Sequence, residues 1–363
     1  MRGNIKLGSK MAIMPKQRER FSWWSAEAMD FWLQHVRPHW SLYRAYALVQ
    51  ERYSVAKEAE AIVLKPNRHV PPCQPGQYVS VTLEVNGVRR KRYYSPTVLP
   101  DGRWQITVRR VANGQVSGWI HEHLTRGAVV ELGCPAGEFH QVDPQQPILL
   151  MAAGSGITPM YSLLSHWLGE QGLSTPIHLH YWASRREQLC FHGEFESWAQ
   201  QHQGFEYFPY LTQDTELLPH ERQGRFDLAT FKQQYPNLSS FQLVACGPFG
   251  FVQQVQALQP LVAQWHSESH EVPKAQGPEG ERFVTLMKTG KTVAVPANKT
   301  LLEGLEDAGV EVPFGCRRGV CNTCSCQRVE GATKHLVSAH TTEGDGVIQL
   351  CVSQAMSNLQ LNL

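Results

Sequence analysis

FGCRRGVCNTCSCQ (residues 314–327) holds four of the nine cysteines in a chain of 363 residues. Cys316, Cys321 and Cys324 stand as C-x4-C-x2-C, Cys326 follows at once, and Cys351 comes later in the run IQLCVS. Such a cluster can serve as a disulfide staple, a zinc site, an iron-sulfur cage or a nucleophile. Three thiolates from one tight loop and a fourth from a distant strand end match the ligand spacing of a [2Fe-2S] cluster. Structural zinc more often takes two C-x2-C-like pairs. An odd cysteine count with four clustered also suits a reducing compartment better than a disulfide scaffold. Gly315 and Gly319 let the loop wrap so that backbone N–H groups point at the sulfurs, and Cys326 is expected to pack beside the cluster rather than ligate it.

Composition sets the limits around this loop. With 34 basic and 32 acidic residues the formal charge is +2, so no bulk field selects nucleic acid or an anionic membrane. The length suggests two or three domains at ~100 to 200 residues each. No apolar run reaches the ~18 to 20 residues of a membrane helix. The basic amino end (Arg2, Lys6, Lys10, Lys16, Arg18, Arg20) is followed by an apolar stretch broken by Ser25, Glu27 and Asp30, which defeats a signal-peptide reading and points to the cytoplasm.

The chain divides by pattern. Residues 1–50 form a helix-like, aromatic-rich extension (FSWWSAEAMDFWLQHVRPHW). Residues 51–143 alternate as strands, with turns at Asn86-Gly87 and Asp101-Gly102, and read as an antiparallel β-barrel. Residues 144–268 switch to strands alternating with helices, which predicts a parallel sheet of Rossmann-like α/β type. Residues 269–280 are a linker by composition. Residues 281–363 open with a hairpin and a short helix capped by Thr300 and Glu303. The expected fold class is multidomain, α+β and α/β.

Four further stretches carry chemistry. RRKRYYSP holds Arg92, Tyr94 and Ser95, a pattern that by itself also fits an exposed basic strand. NGQVSGWIHEHL places Gly114, Val116 and Ser117 at a helix start, where free N–H groups receive phosphate; Ser117 can also act as a plain N-cap. ILLMAAGSGITPM sets Gly154, Gly156, Thr158 and Pro159 between an apolar strand and a helix, with Pro159 in place of the third glycine of G-x-G-x-x-G. After the strand IHLHYWA come Ser184, Arg185 and Arg186, donors suited to the 2′-phosphate of NADPH, while Glu187 leaves NADH open.

Together these motifs resemble the ferredoxin-NADP reductase superfamily, with a plant-type ferredoxin domain of β-grasp fold at residues 281–363, in the order found in bacterial oxygenase and desaturase reductases. The resemblance implies FAD, a [2Fe-2S] cluster held by Cys316, Cys321, Cys324 and Cys351, and NAD(P)H. It implies that Arg92 pairs with the flavin pyrophosphate, Tyr94 lies against ring and ribityl, Ser95 reaches flavin N5, and Gly114, Val116 and Ser117 hold the second half of the FAD pyrophosphate. It places Cys246, in the stretch Cys246-Gly247-Pro248, beside the nicotinamide C4, so that Ser95 and Cys246 flank the hydride transfer. No acid-base dyad is required.

The expected activity is an NAD(P)H:acceptor oxidoreductase relaying electrons to a separate protein, since no pair of histidines and a carboxylate stands in a convincing iron-binding context. The aromatic-basic extension and the CNTCSC run resemble reductases of membrane-bound di-iron fatty-acid desaturases, making a desaturase the first expected partner. Ring-hydroxylating dioxygenases, alkane hydroxylases and small soluble acceptors are the alternatives. The chain is expected to act as a cytoplasmic monomer without nucleic acid, meeting the inner face of the membrane only through its partner.

Overall fold

The computed structural model describes residues 29–30, 32–33, 40–112, 114–170, 175–270, 275, 280–315, 317–319 and 322–363. Most of the 1–50 extension and two expected ligands, Cys316 and Cys321, lie outside the described residues.

The first sheet is antiparallel and seven-stranded, in the order β4-β3-β7-β1-β2-β6-β5. It begins with β1 (Tyr46–Ala56), inside the segment that sequence pattern assigned to the extension, because Ala47 and Val49 already alternate into the core. It continues through β2 (Ala59–Pro66), β3 (Val79–Val85), β4 (Val88–Tyr94), β5 (Thr97–Val98), β6 (Trp104–Arg109) and β7 (Val129–Leu132). Asn86 and Gly87 have φ of 52° and 76°, the left-handed pair of a two-residue hairpin whose twist matches the strands it joins. β4 pairs only with β3, and β5 only with β6, so the curled sheet stays open between them.

The second sheet is parallel throughout, ordered β11-β10-β9-β8-β12-β13, from β8 (Ile148–Ala153), β9 (Ile177–Ala183), β10 (Phe205–Leu211), β11 (Arg222–Gln223), β12 (Gln242–Gly247) and β13 (Gln264–Ser269). All residues of β8 and β12 are buried, as befits strands covered on both faces. Strand order reverses between β8 and β12, and a crevice outside the carboxyl ends of such a pair is where open α/β sheets bind ligands. The two sheets are tied together by Ser162, whose Oγ donates to Pro96 O at 2.8 Å and accepts from Gly76 N at 3.3 Å.

The last domain is a five-stranded mixed sheet, β15-β14-β21-β16-β19, with a small β18-β17-β20 sheet beside it. Here β14 is Glu281–Leu286, β15 Lys291–Pro296, β16 Ser325–Glu330, β17 Ala332–His335, β18 Thr341–Glu343, β19 Gly346–Gln349, β20 Ser353–Ala355 and β21 Leu359–Leu361. β14 and β21 run parallel. Helix Leu301–Asp307 starts with the expected capping box, Thr300 and Glu303 satisfying one another's backbone N–H groups. It lies so close to the sheet that a Cβ on Gly304 would come within 2.2 Å of Val295 Cγ1.

Candidate active site and metal centre

The open side of the first sheet faces a cavity of about 450 Å³. Arg92, Tyr94 and Ser95 at the end of β4 line it, opposite Thr107–Arg109 of β6 and the helix start Gly114–Ser117. Ser155 and Thr158 from the loop and helix start after β8, Glu268 and His270 at the end of β13, and Arg317 and Arg318 from the cysteine loop complete it. Thus Arg92, Tyr94, Ser95, Gly114, Val116, Ser117 and Thr158, scattered in sequence, line one cavity.

The fit of these residues to a flavin with a pyrophosphate can be tested atom by atom. Arg92 Nη1 donates to Lys91 O at 2.8 Å, and burial lowers its pKa, so a cation has been placed in the cavity at a desolvation cost that an anion would offset. Helix Gln115–His123 has Gly114 at its N-cap with no side-chain cap. Ser117 therefore does not cap; its Oγ accepts from Val111 N at 3.1 Å, leaving the helix start to a ligand. The Tyr94 phenol is pushed up to about 12 by burial and stays neutral. The set fits.

A second cavity, of about 440 Å³, lies at the carboxyl ends of the parallel sheet. Gly154, Ser184 and Pro248 line it as expected, together with Trp182, Thr212 and Arg225. Gly154 has φ of 57°, and a Cβ on Gly156 would sit 2.1 Å from Cys246 O, so the loop needs a glycine there to pass the end of β12. Two buried donors in its lining, Arg109 Nε and Trp182 Nε1, have no partner in the protein, and Arg109 borders both cavities. Unmet donors in a pocket of this kind fit a phosphate-bearing dinucleotide.

Two expectations change here. Arg185 is exposed and does not line the pocket. Arg186 is turned away onto Glu221, donating to both carboxylate oxygens at 2.5 Å and to Glu216 O at 2.8 Å. A completely buried carboxylate is a stronger claim on a guanidinium than an open pocket. Arg225, which sequence reading passed over, takes the pocket position; the stretch QGRFD carries no pattern that marks it.

Pro159 sits in the first turn of helix Ile157–Glu170, where no N–H is needed. Cys246 is 0% exposed and lines neither cavity. Its Sγ lies 3.3 Å from His270 Nε2, and burial pushes the thiol well up, so it is no nucleophile. Gly247 packs against Ala153. Glu268 and His270 are the other residues that sequence reading missed, hidden by the polar composition of SESH. Burial raises the Glu268 carboxyl from 4.5 to about 7 and lowers His270 to about 4.

At the metal centre, the Cys351 side chain hydrogen-bonds Cys324 and draws its thiol down to about 6. Two buried thiols meeting across 27 residues suit a shared metal ligand set. Cys316 and Cys321, the other two expected ligands, lie outside the described residues. Gly319 has φ of 77° and its carbonyl accepts from Gln349 Nε2 at 2.8 Å, which pins the loop to the end of β19. Cys326 turns into the core, its Sγ toward Gln327 O at 3.5 Å. Two histidines and a carboxylate do meet elsewhere, His192, His220 and Glu221, with ligand atoms within 4.8 Å; Glu221 is already held by Arg186, and none of the three lines either cavity.

Comparison with known proteins agrees with this geometry. The family descriptions "Oxidoreductase FAD-binding domain", "Oxidoreductase NAD-binding domain" and "2Fe-2S iron-sulfur cluster binding domain" match residues 47–141, 150–257 and 284–356. An NADPH oxidoreductase of Mycobacterium tuberculosis is 30% identical over 344 residues, covering 92% of this chain and 88% of the relative. The glycine betaine monooxygenase reductase subunit of Pseudomonas aeruginosa is 24% identical, covering 77% and 84%. The solved phthalate dioxygenase reductase superposes with a TM-score of 0.60 at 26% identity, covering 88% of this chain and 97% of that one. A flavin sheet, a pyridine-nucleotide sheet and a [2Fe-2S] domain on one chain define an electron-transfer oxidoreductase that uses FAD, the cluster and a pyridine nucleotide. The chain belongs to the ferredoxin-NADP reductase superfamily, in the branch with a C-terminal ferredoxin domain.

Proposed function

We propose that this chain takes electrons from NADPH and delivers them singly to the iron-containing component of an oxygenating enzyme system. The observation that carries the reading is convergence: residues of all three domains, Arg317 and Arg318 of the cysteine loop included, line the one flavin cavity. When bound, FAD converts a two-electron hydride into single electrons and the [2Fe-2S] cluster carries them one at a time. Arg92 and the uncapped helix start would hold the pyrophosphate, Tyr94 would cover ring and ribityl, and Ser95 would offer its hydroxyl to the ring nitrogen. His270 at the cavity wall would flank the nicotinamide, with the buried Cys246 thiol behind it at 3.3 Å, and Cys316, Cys321, Cys324 and Cys351 would ligate the cluster.

The preference for NADPH is assigned to Arg225 with Ser184 and Thr212. Among the described residues no carboxylate lines the second pocket, whereas an acid there would favour the ribose hydroxyl of NADH. An oxygenase component as acceptor is supported by the similarity to reductases of a glycine betaine monooxygenase and a phthalate dioxygenase. A membrane desaturase is the second reading, favoured by Trp32, Trp40 and Tyr43 of the extension, which are 54%, 43% and 51% exposed. In either case the chain acts as a cytoplasmic monomer. Among the described residues no helix is long and apolar enough to cross a membrane. Turnover with a soluble oxygenase component, with a desaturase-bearing membrane fraction and with ferricyanide alone separates these acceptors. Activity with ferricyanide but with neither protein system would overturn the proposal.

A further inference from the structure

Arg317 and Arg318 stand side by side in the loop between Cys316 and Cys321, yet they face different parts of the molecule. Arg317 turns back into its own domain, pairing with Glu306 and lying 4.0 Å from the centre of the Phe314 ring. Arg318 reaches out. Its guanidinium carbon lies 5.4 Å from the centre of the Tyr93 ring and 6.0 Å from that of Tyr78, two rings set edge to face on the flavin sheet. Its Nη1 donates to Ser269 O at 3.4 Å and to His270 Nδ1 at 3.3 Å, at the end of the parallel sheet. The half-buried Glu268 adds an opposite charge nearby.

One side chain of the cluster loop thus holds both other domains, beside the cavity and beside a second groove of about 540 Å³ that it also lines. A planar guanidinium can stack on rings and donate sideways at once, which an ammonium cannot. We propose that Arg318 is a positioning residue, a latch that fixes the cluster loop against the flavin and thereby sets the rate of electron transfer between them. The step it serves moves one electron at a time, oxidising the reduced flavin and reducing one ferric ion of the cluster, with NADPH as the two-electron source. The inference rests on the relay proposed above.

The test uses the flavin- and iron-loaded full chain, mixed anaerobically with NADPH, with flavin and cluster absorbance followed separately. In Arg318→Ala the cluster phase should slow about tenfold or more relative to the hydride phase, since small misplacements of reacting partners cost at least that much. Arg318→Lys should recover only part of the loss. X-ray scattering of the same samples without NADPH should give a larger radius of gyration for Arg318→Ala. Because Arg318 is close to two ligands, Tyr93→Leu removes the stack from the barrel side and should change the phase ratio in the same direction at full iron content. Variants with full iron that keep the wild-type phase ratio and radius overturn the latch. A wild-type cluster that fills with no prior flavin reduction would overturn the relay itself, and the latch with it.

Discussion

The flavin cavity and the coenzyme pocket are of nearly equal size, about 450 and 440 Å³, yet they are built in different ways. Arg92, Tyr94 and Ser95 come from one strand end, and Gly114 to Ser117 from the next helix start, so most of the expected flavin contacts come from two short contiguous runs. The coenzyme pocket draws Gly154, Ser184, Thr212, Arg225 and Pro248 from five separate loops, where neighbouring carboxylates compete for the same cations. Glu221 wins Arg186. A motif that is contiguous in sequence predicts its site; a pocket assembled from strand ends has to be seen folded.

The largest test of this contrast is on the flavin side. Arg92→Ala should weaken FAD retention by about 10- to 100-fold, the worth of a charge-assisted contact of ~1.5 to 3 kcal/mol, measured as flavin per chain after gel filtration. Unchanged flavin content would remove the anion-binding role from β4. On the coenzyme side, Arg225→Ala should raise the KM for NADPH about tenfold and leave that for NADH nearly unchanged. Arg186→Ala should instead leave the coenzyme preference alone and lower the melting temperature, because it strands a buried Glu221. The reverse pattern would restore Arg186 to the pocket.

A smaller effect sharpens the boundary between the two sites. The folded-state pKa of Glu268 is raised from 4.5 to about 7, so the folded protein binds the proton more tightly than the unfolded chain. Its contribution to stability is complete below pH 4.5 and is lost as pH rises through 7. Glu268→Gln should therefore flatten the fall in melting temperature across that window. A pH profile that stays parallel to wild type would mean that Glu268 titrates as an ordinary surface acid.

The three-domain order, the Asn86-Gly87 hairpin, the Thr300–Glu303 capping box and the loop at Gly154 were legible because each is fixed by neighbours within a few residues. The start of β1 is hidden in the sequence because Ala47 is small and the aromatic extension before it masks the alternation. Glu268 and His270 were not legible because their stretch is polar and runs into the linker composition; both are partly buried at a cavity whose lining includes Arg317 and Arg318 of the distant cysteine loop. Ser117 lines the flavin cavity as its place at the helix start implied, while its hydroxyl also accepts from the loop amide of Val111.

Electrons pass in series from coenzyme through flavin to cluster in the relay proposed here, and Cys351→Ser cuts that path at its last station. Anaerobic NADPH should reduce the flavin of this variant at the wild-type rate, ferricyanide reduction should persist, and electron delivery to a protein acceptor, together with the paramagnetic resonance of a reduced [2Fe-2S] cluster, should be lost. Continued reduction of the protein acceptor at the wild-type rate, or loss of ferricyanide reduction with flavin still bound, would contradict the account.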